Sequence, residues 1–211
     1  MKKYLLTVMS LCFVATLWGQ KTAGSEWTQQ VQQAAALIKD NPTAAADAFD
    51  NLLKGKNKKN TDLLVEIGRA YLKQGKNDIA AEYAQRAKDV NGKCALAYLL
   101  SGDVALALND ANKASSDYNQ AIYLDENCSD AYLKYAEVYK GVDPQLSIDM
   151  LMRLQAKTPD DNRINKELGD VYYTMGQYGK AKAAYEVYMK TGVPAEQDYT
   201  RYAMLLYLNK D

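Results

Sequence analysis

The chain has 211 residues, of which 48% are hydrophobic, and this is enough apolar material for a sizeable core. Lysine plus arginine equals aspartate plus glutamate at 26 each, so the composition lacks the basic excess typical of nucleic-acid-binding proteins. Histidine is absent, which removes the usual general base and a common zinc ligand. We therefore expect no catalytic residues, no metal site and no cofactor, and a protein that is not an enzyme.

Residues 1–19 have the layout of a secretory signal peptide. Lys2 and Lys3 form a basic start, residues 4–18 are uncharged and mostly apolar, and Gly19 precedes a polar segment. The apolar run is short for a membrane span, which needs about 20 residues, although a retained anchor is the alternative. We expect cleavage near Gly19, export of the mature chain and membrane contact only through the leader before cleavage. For a bacterial source the compartment would be the periplasm.

The segment 20–60 predicts a pair of helices divided at Asn41 and Pro42. Asparagine suits a helix N-cap, and proline suits the first helical position. Ala45, Phe49 and Leu52 fall where the second helix should turn its inner face. The first half lacks the glycine that marks the later helices, so we treat 20–60 as a diverged N-terminal helical pair.

From Thr61 onward the residue pattern recurs every 34 positions. The pairs at this separation include Gly68 and Gly102, Ala80 and Ala114, Ala87 and Ala121, and Cys94 and Cys128. Each period predicts an amphipathic helix, a reversal near a glycine such as Gly75, and a second helix. The resulting units are 61–94, 95–128, 129–161 and 162–194, and a recurrence of this length indicates a helical solenoid.

The residues at these positions resemble the tetratricopeptide repeat. The first unit carries the motif as Leu64, Ile67, Gly68, Tyr71, Ala80 and Ala87. The second unit departs at Ala105, where an aromatic residue is usual, and the fourth departs at Tyr188, where a small residue is usual. The resemblance implies an all-α fold, a right-handed α-solenoid of antiparallel helix pairs. Small residues opposite one another, such as Gly68 against Ala80, should let the two helix backbones of a pair approach closely.

The third unit contains a deletion before Asp143 and Pro144, which are expected to cap and begin its second helix. Residues 195–211 predict the first helix of a fifth, incomplete repeat. Met204, Leu205, Tyr207 and Leu208 leave that helix apolar on several sides, whereas a terminal cap is expected to have a polar outer face. We therefore expect either a longer solenoid or self-association through this C-terminal helix.

The resemblance also implies that the first helices line a concave groove that binds peptides or partner helices. The stripe left free by the packing positions supplies our candidate groove residues: Val65, Arg69, Leu96, Leu99, Asp103, Leu106, Leu133, Glu137, Lys166, Asp170 and Tyr173. The leucines of the second unit predict an apolar patch for a partner, or else burial against a neighbouring helix. Asp103, Glu137 and Asp170 form an acidic line, which suits a partner segment with apolar anchors and basic residues.

The sequence therefore predicts an exported, non-enzymatic scaffold that binds a protein or peptide partner in the cell envelope. The partner would not be nucleic acid, and no small-molecule cofactor is implied. The alternative is that this repeat array is the N-terminal interaction module of a longer enzyme or sensor that continues beyond Asp211.

Overall fold

The computed structural model describes residues 27–209, and these residues form eleven α-helices and no strand. The predicted signal peptide lies outside the described residues. The helices are α1 (Thr28–Leu37), α2 (Pro42–Leu52), α3 (Thr61–Lys73), α4 (Asn77–Val90), α5 (Ala95–Ala107), α6 (Ala111–Leu124), α7 (Ser129–Tyr139), α8 (Pro144–Lys157), α9 (Arg163–Thr174), α10 (Tyr178–Thr191) and α11 (Glu196–Leu208). Within 27–209, no helix is both long and apolar enough to cross a membrane.

The helices pack as successive antiparallel pairs, and each pair stacks on the next to form a solenoid. Helices α3 and α4, α5 and α6, α7 and α8, and α9 and α10 form the pairs that begin at Thr61. The second helix of each pair contacts the first helix of the next pair. The apolar core is therefore a chain of connected clusters along the solenoid, not a single centre.

Asparagine and aspartate begin several of the helices, as the sequence predicts. Asn41 and Asp143 each accept a hydrogen bond from the backbone N–H three residues further on, at 3.1 Å in both cases. Pro42 and Pro144 follow as the first helical residues, where a missing backbone N–H costs nothing. Both predicted caps are confirmed.

The reversal between paired helices uses a left-handed backbone conformation. Gly75 has φ +69° directly after α3, and Gly176 has φ +70° after α9. Asn109, which is 34 residues after Gly75, has φ +61° at the same point of the next pair. Glycine and asparagine tolerate this conformation better than other residues, so the predicted turn at Gly75 is confirmed.

The glycines in the first helices make room mainly for side chains of neighbouring helices. A Cβ at Gly102 would lie 2.5 Å from the ring of Tyr118, and a Cβ at Gly169 would overlap the ring of Tyr185. A Cβ at Gly68 would lie 2.5 Å from a methyl carbon of Leu100 and 3.5 Å from the carbonyl oxygen of Ala80. The expected close approach of two backbones is thus a minor part of what these glycines do.

Helix α11 is fixed to the solenoid by a buried carboxylate and a buried leucine. Asp198 accepts hydrogen bonds from the backbone N–H of Ala195 at 2.8 Å and from the hydroxyl of Tyr188 at 3.0 Å. Leu205 is 0% exposed and packs in the core cluster shared by α10 and α11. Leu205 therefore does not belong to the exposed apolar surface on which we predicted self-association.

Candidate functional site: a groove across four first helices

An open cavity of about 500 Å³, the groove cavity, runs across the first helices α3, α5, α7 and α9. Its lining includes the side chains of Arg69, Leu99, Asp103, Asp130, Leu133, Lys134, Glu137, Arg163, Lys166, Glu167 and Tyr188. Each of the four helices contributes because the repeat period returns the same face to the same side of the solenoid. The volume lies within the range of about 300–1,000 Å³ that is common for ligand sites.

Most charges of the groove cavity are paired within it or near it. Lys134 contacts Glu137 at 3.0 Å, and Arg163 contacts Asp130 at 2.5 Å, so a pair joins α7 to α9. Four basic and four acidic side chains line the cavity. Two residues of the predicted acidic line, Asp103 and Glu137, line the cavity, where cations are interleaved with them.

The remaining two cations are directed to carboxylates outside the cavity lining. Arg69 contacts Glu66 at 2.7 Å, one helical turn away on α3. Lys166 contacts Asp198 of α11 at 3.3 Å. The charges of both cations are thus partly compensated before any partner arrives.

Two carboxylates of the groove cavity are held in an environment that disfavours their charge. Burial raises the pKa of Asp103, although the hydroxyl of Tyr118 donates a hydrogen bond to it at 2.9 Å. Burial also raises the pKa of Glu167, against the opposing effect of Lys140, whose ammonium group lies at 3.5 Å. The groove cavity therefore contains negative charge that would be better stabilised by an additional cation.

Comparison with known proteins places the repeats in a family. The family model of the tetratricopeptide repeat matches residues 65–132, and a second model of the same repeat matches residues 167–186. The chain is a tetratricopeptide-repeat protein. Its tetratricopeptide repeats make it a protein-interaction scaffold.

Relatives of this tetratricopeptide-repeat protein are distant. It is 32% identical over 110 residues to anaphase-promoting complex subunit 3 of Schizosaccharomyces pombe, a match that covers 52% of this chain and 16% of that protein. A thermophilic tetratricopeptide-repeat protein of Thermus thermophilus superposes with TM-score 0.68 at 20% identity, over 85% of this chain and 98% of the other. PilW, a type IV pilus biogenesis factor, superposes with TM-score 0.71 at 19% identity, over 87% and 86%. At these identities the two structures show the likeness of fold alone.

The structure brings together six of the eleven residues predicted for the groove of this tetratricopeptide-repeat protein. The six that line the groove cavity are Arg69, Leu99, Asp103, Leu133, Glu137 and Lys166. Leu133 is half-buried, and Leu99 is 2% exposed and packs in the core cluster shared by α5 to α9. The expected exposed patch of leucines is therefore wrong, because packing against neighbouring helices takes most of their surface. Whether these six residues bind a partner stays a prediction.

Three other predicted groove residues are placed elsewhere on the first two repeats. Val65 is 0% exposed because α1 packs against α3, and Val65 lies in the core cluster that joins them. Leu106 is half-buried against the core, and Leu96 at the start of α5 is 37% exposed but does not line the cavity. The assignment of Val65 to the groove is therefore wrong, whereas those of Leu96 and Leu106, which lie outside the groove cavity, stay predictions.

The last two predicted groove residues, Asp170 and Tyr173, are contacted by helix α11. Asp170 accepts a hydrogen bond from the hydroxyl of Tyr185 at 2.7 Å, and the guanidinium of Arg201 lies 3.4 Å from it. The same guanidinium lies 5.1 Å from the ring centre of Tyr173, whose hydroxyl donates to the sulfur of Met204 at 3.1 Å. Both residues thus contact α11 and lie outside the groove cavity, and their part in a wider binding groove stays a prediction.

Five lining residues were missing from the predicted set. Lys134 and Glu167 occupy equivalent positions four residues after Asp130 and Arg163, which also line the cavity. Because residues four apart share a helix face, the spacing alone would have included Lys134 and Glu167. Tyr188 comes from the second helix α10, and the one-helix stripe gives no signal for it.

Among residues 27–209, no group of three histidine, cysteine, aspartate or glutamate side chains is placed to hold a metal ion.

Proposed function

We propose that the groove cavity binds a segment of a partner polypeptide and that the protein acts as a non-enzymatic scaffold. The observation that carries this proposal is the continuity of one lined cavity across four repeats, from Arg69 on α3 to Glu167 on α9. A surface that recurs along a solenoid suits an extended or helical segment better than a compact small molecule.

The partner segment would place a basic side chain against Asp103 and Glu167 and an apolar one against Leu133. The first part follows from the burial that raises the pKa of both carboxylates, because an incoming cation would stabilise their charged forms. The second part follows from Leu133, which lines the cavity and is only half-buried. The paired charges of Lys134 and Glu137 would then contribute more to partner choice than to affinity.

The test compares capture of partners from the native cell envelope by wild type and by a double variant, Asp103→Asn with Glu167→Gln. Both changes remove charge while keeping the shape of the side chain. The matched control is Asp149→Asn with Glu186→Gln, two carboxylates on α8 and α10 that do not line the groove cavity. We expect the groove variant to lose a partner that wild type and control retain. Equal capture by all three proteins would contradict the proposal.

We also propose that the protein is exported, and that it is periplasmic if its source is bacterial. The support is the order of basic start, apolar run and polar segment in residues 1–19. N-terminal sequencing of the protein recovered from an osmotic-shock fraction should give a start near residue 20. A protein that retains Met1 and stays with the cytosolic fraction would refute this part.

Two further hypotheses remain proposals. The repeat array can be the interaction module of a longer enzyme or sensor, which sequencing of the genome downstream of the last codon would reveal.

Self-association through α11 is supported by its exposed side chains, which are Tyr199, Met204, Tyr207 and Leu208. Sedimentation should show dimers for the wild-type chain and for the control Met152→Glu, but monomers for Tyr207→Glu with Leu208→Glu. Monomers in every case would remove the self-association hypothesis.

A further inference from the structure

A row of aromatic rings runs along the first repeats and then stops. The ring centres of Phe49 on α2 and Tyr71 on α3 are 5.3 Å apart, and those of Tyr71 and Tyr83 on α4 are 5.7 Å apart. The repeat period of 34 residues places Ala105 and Asp117 at the next points of this row. The second tetratricopeptide repeat thus has a methyl group and a carboxylate where its predecessor has two rings.

Ala105 occupies a repeat position at which the other three repeats have tyrosine. The residues equivalent to Ala105 in the first, third and fourth repeats are Tyr71, Tyr139 and Tyr172. In the first repeat that tyrosine fills the space between the second helices of two neighbouring pairs, because its ring contacts one ring on each. Ala105 therefore leaves the corresponding space between α4 and α6 without its usual ring.

That space is an open cavity of about 570 Å³, here called the Ala105 cavity, bordered by α4, α5 and the start of α6. Its apolar wall consists of Ala81, Val104, Ala105 and Leu108. Leu108 is 52% exposed, which is unusual for a leucine beside a cavity and leaves apolar surface for an incoming group. The Ala105 cavity and the groove cavity share no lining residue.

The polar rim of the Ala105 cavity carries two carboxylates and one ammonium group that is already paired. Glu82 and Asp110 both line it. Lys113 also lines it, but its ammonium group is engaged by the carboxylate of Asp117 at 2.8 Å. Ser101 donates its hydroxyl hydrogen to the same carboxylate at 2.7 Å. Asp110 accepts a hydrogen bond from the backbone N–H of Lys113 at 2.9 Å through one oxygen, so Glu82 and the other oxygen of Asp110 remain for an incoming group.

We propose that the Ala105 cavity binds the aromatic side chain of a partner polypeptide, carried next to a basic residue. The ring takes the place that Tyr71 fills in the first repeat, against the exposed Leu108 and over Val104 and Ala105, which are 4% and 2% exposed at the floor of the cavity. The neighbouring basic side chain pairs with Glu82 and Asp110 at the rim. This is a second point of attachment on the scaffold, separate from the groove cavity.

Short capped peptides test the proposal directly. The probes are acetyl-tyrosyl-lysine amide, acetyl-tyrosyl-glutamate amide and acetyl-alanyl-lysine amide, titrated into the isotope-labelled mature chain and followed by amide chemical shifts. We expect the tyrosyl-lysine peptide to shift the amides of Val104, Ala105 and Leu108. We expect the other two peptides to bind about tenfold more weakly, a factor equivalent to about 1.4 kcal/mol. No shifts at these amides, or equal shifts with all three peptides, would overturn the proposal.

Filling the cavity provides the second arm of the experiment. Ala105→Phe supplies the missing ring from within, so it should raise the melting temperature and abolish the peptide-induced shifts. Ala107→Phe is the matched control, because Ala107 is an exposed residue of the same helix outside the cavity lining. Peptide binding that survives Ala105→Phe would place the peptide elsewhere and refute the assignment.

A third variant covers the case in which Ala105→Phe fails to fold. Glu82→Gln with Asp110→Asn leaves the cavity and the α6 cap intact, since asparagine caps a helix as well as aspartate does. This variant should bind the tyrosyl-lysine and tyrosyl-glutamate peptides equally. A preference for lysine that persists would show that the acidic rim does not act as proposed.

Discussion

Asp103 and Asp117 belong to the same helix pair, and both accept a hydrogen bond from a hydroxyl group. Their surroundings nevertheless shift the pKa values of the two carboxyl groups in opposite directions. Asp117 contacts the ammonium groups of Lys113 at 2.8 Å and Lys88 at 3.4 Å. None of the ion pairs between described residues includes Asp103. Burial raises the pKa of Asp103. For Asp117 burial acts in the same direction, but the hydrogen bonds and charges of its partners lower the pKa.

The difference separates a structural carboxylate from one that is available for binding. The contacts of Asp117 join α4, α5 and α6, because Lys88, Ser101 and Lys113 come from those three helices. Asp103 lines the groove cavity with a charge that the fold does not fully compensate. This difference in compensation is the reason that the proposed function assigns Asp103, and not Asp117, to a partner.

The largest effect is expected when a carboxylate is placed beside Asp103 with no partner at all. Leu99→Asp should destabilise the protein by about 3–5 kcal/mol, because it buries an unpaired charge in the core cluster of α5 to α9. Urea unfolding followed by circular dichroism measures this loss. The sequence analysis places Leu99 in the groove as a candidate contact for a partner, whereas its burial in the core makes a loss of stability the expected result.

Leu99→Met is the control for that variant, since it keeps the volume and should cost less than about 1.5 kcal/mol. If Leu99→Asp unfolds at the same urea concentration as Leu99→Met, Leu99 is not part of the core.

The next effect is expected at Asp117. Asp117→Asn should destabilise the protein by about 1.5–3 kcal/mol, because Lys88 and Lys113 lose a charged hydrogen-bond acceptor at a nearly buried site. The measurement is the same urea unfolding at neutral pH. Asp47→Asn, an exposed aspartate in the interior of α2, is the control and should change stability by less than about 0.5 kcal/mol.

Local features of the fold were predictable because they depend on residues close together in the chain. The cap at Asn41, the turn at Gly75 and the restart at Pro144 each follow from the conformational preferences of a few neighbouring residues. The period of 34 residues then gives the stacking, since each helix pair can bury its apolar face only against its neighbours.

Two of the predicted groove residues are covered by helices that flank the four repeats. Val65 is buried by packing against α1, and Tyr173 is covered by Arg201 and Met204 of α11. Both helices depart from the repeat pattern, so a stripe drawn on one ideal repeat gives no signal for what they cover. Ala105 shows the opposite case, because its departure from the pattern was visible in the sequence but the resulting cavity required coordinates.

A smaller effect, of opposite sign, is expected at Asp103. Asp103→Asn removes a charge that burial disfavours while keeping an oxygen that can accept the hydrogen bond of Tyr118. The free energy of unfolding at neutral pH should therefore stay the same or rise, by no more than about 1 kcal/mol. Urea unfolding of this variant beside Asp117→Asn makes the comparison direct. A loss as large as that of Asp117→Asn would mean that both carboxylates are structural.

The most subtle test follows the same two variants as the pH falls. Because the pKa of Asp117 is lowered on folding, its charge contributes stability above its ordinary pKa of about 4, and this is lost as the pH falls through the folded-state pKa. Because the pKa of Asp103 is raised, its stabilising effect is present below its ordinary pKa and is lost as the pH rises through the raised value.

At acidic pH both aspartates are protonated and resemble asparagine, so each variant should approach the wild-type urea midpoint. Asp117→Asn should approach it from lower stability and Asp103→Asn from equal or higher stability. Midpoints measured from neutral pH downward follow both approaches, and that of Asp117→Asn is completed at the lower pH because the pKa of Asp117 is lowered. If both variants approach from lower stability, Asp103 is compensated by contacts as Asp117 is, and the groove cavity has no carboxylate set aside for a partner.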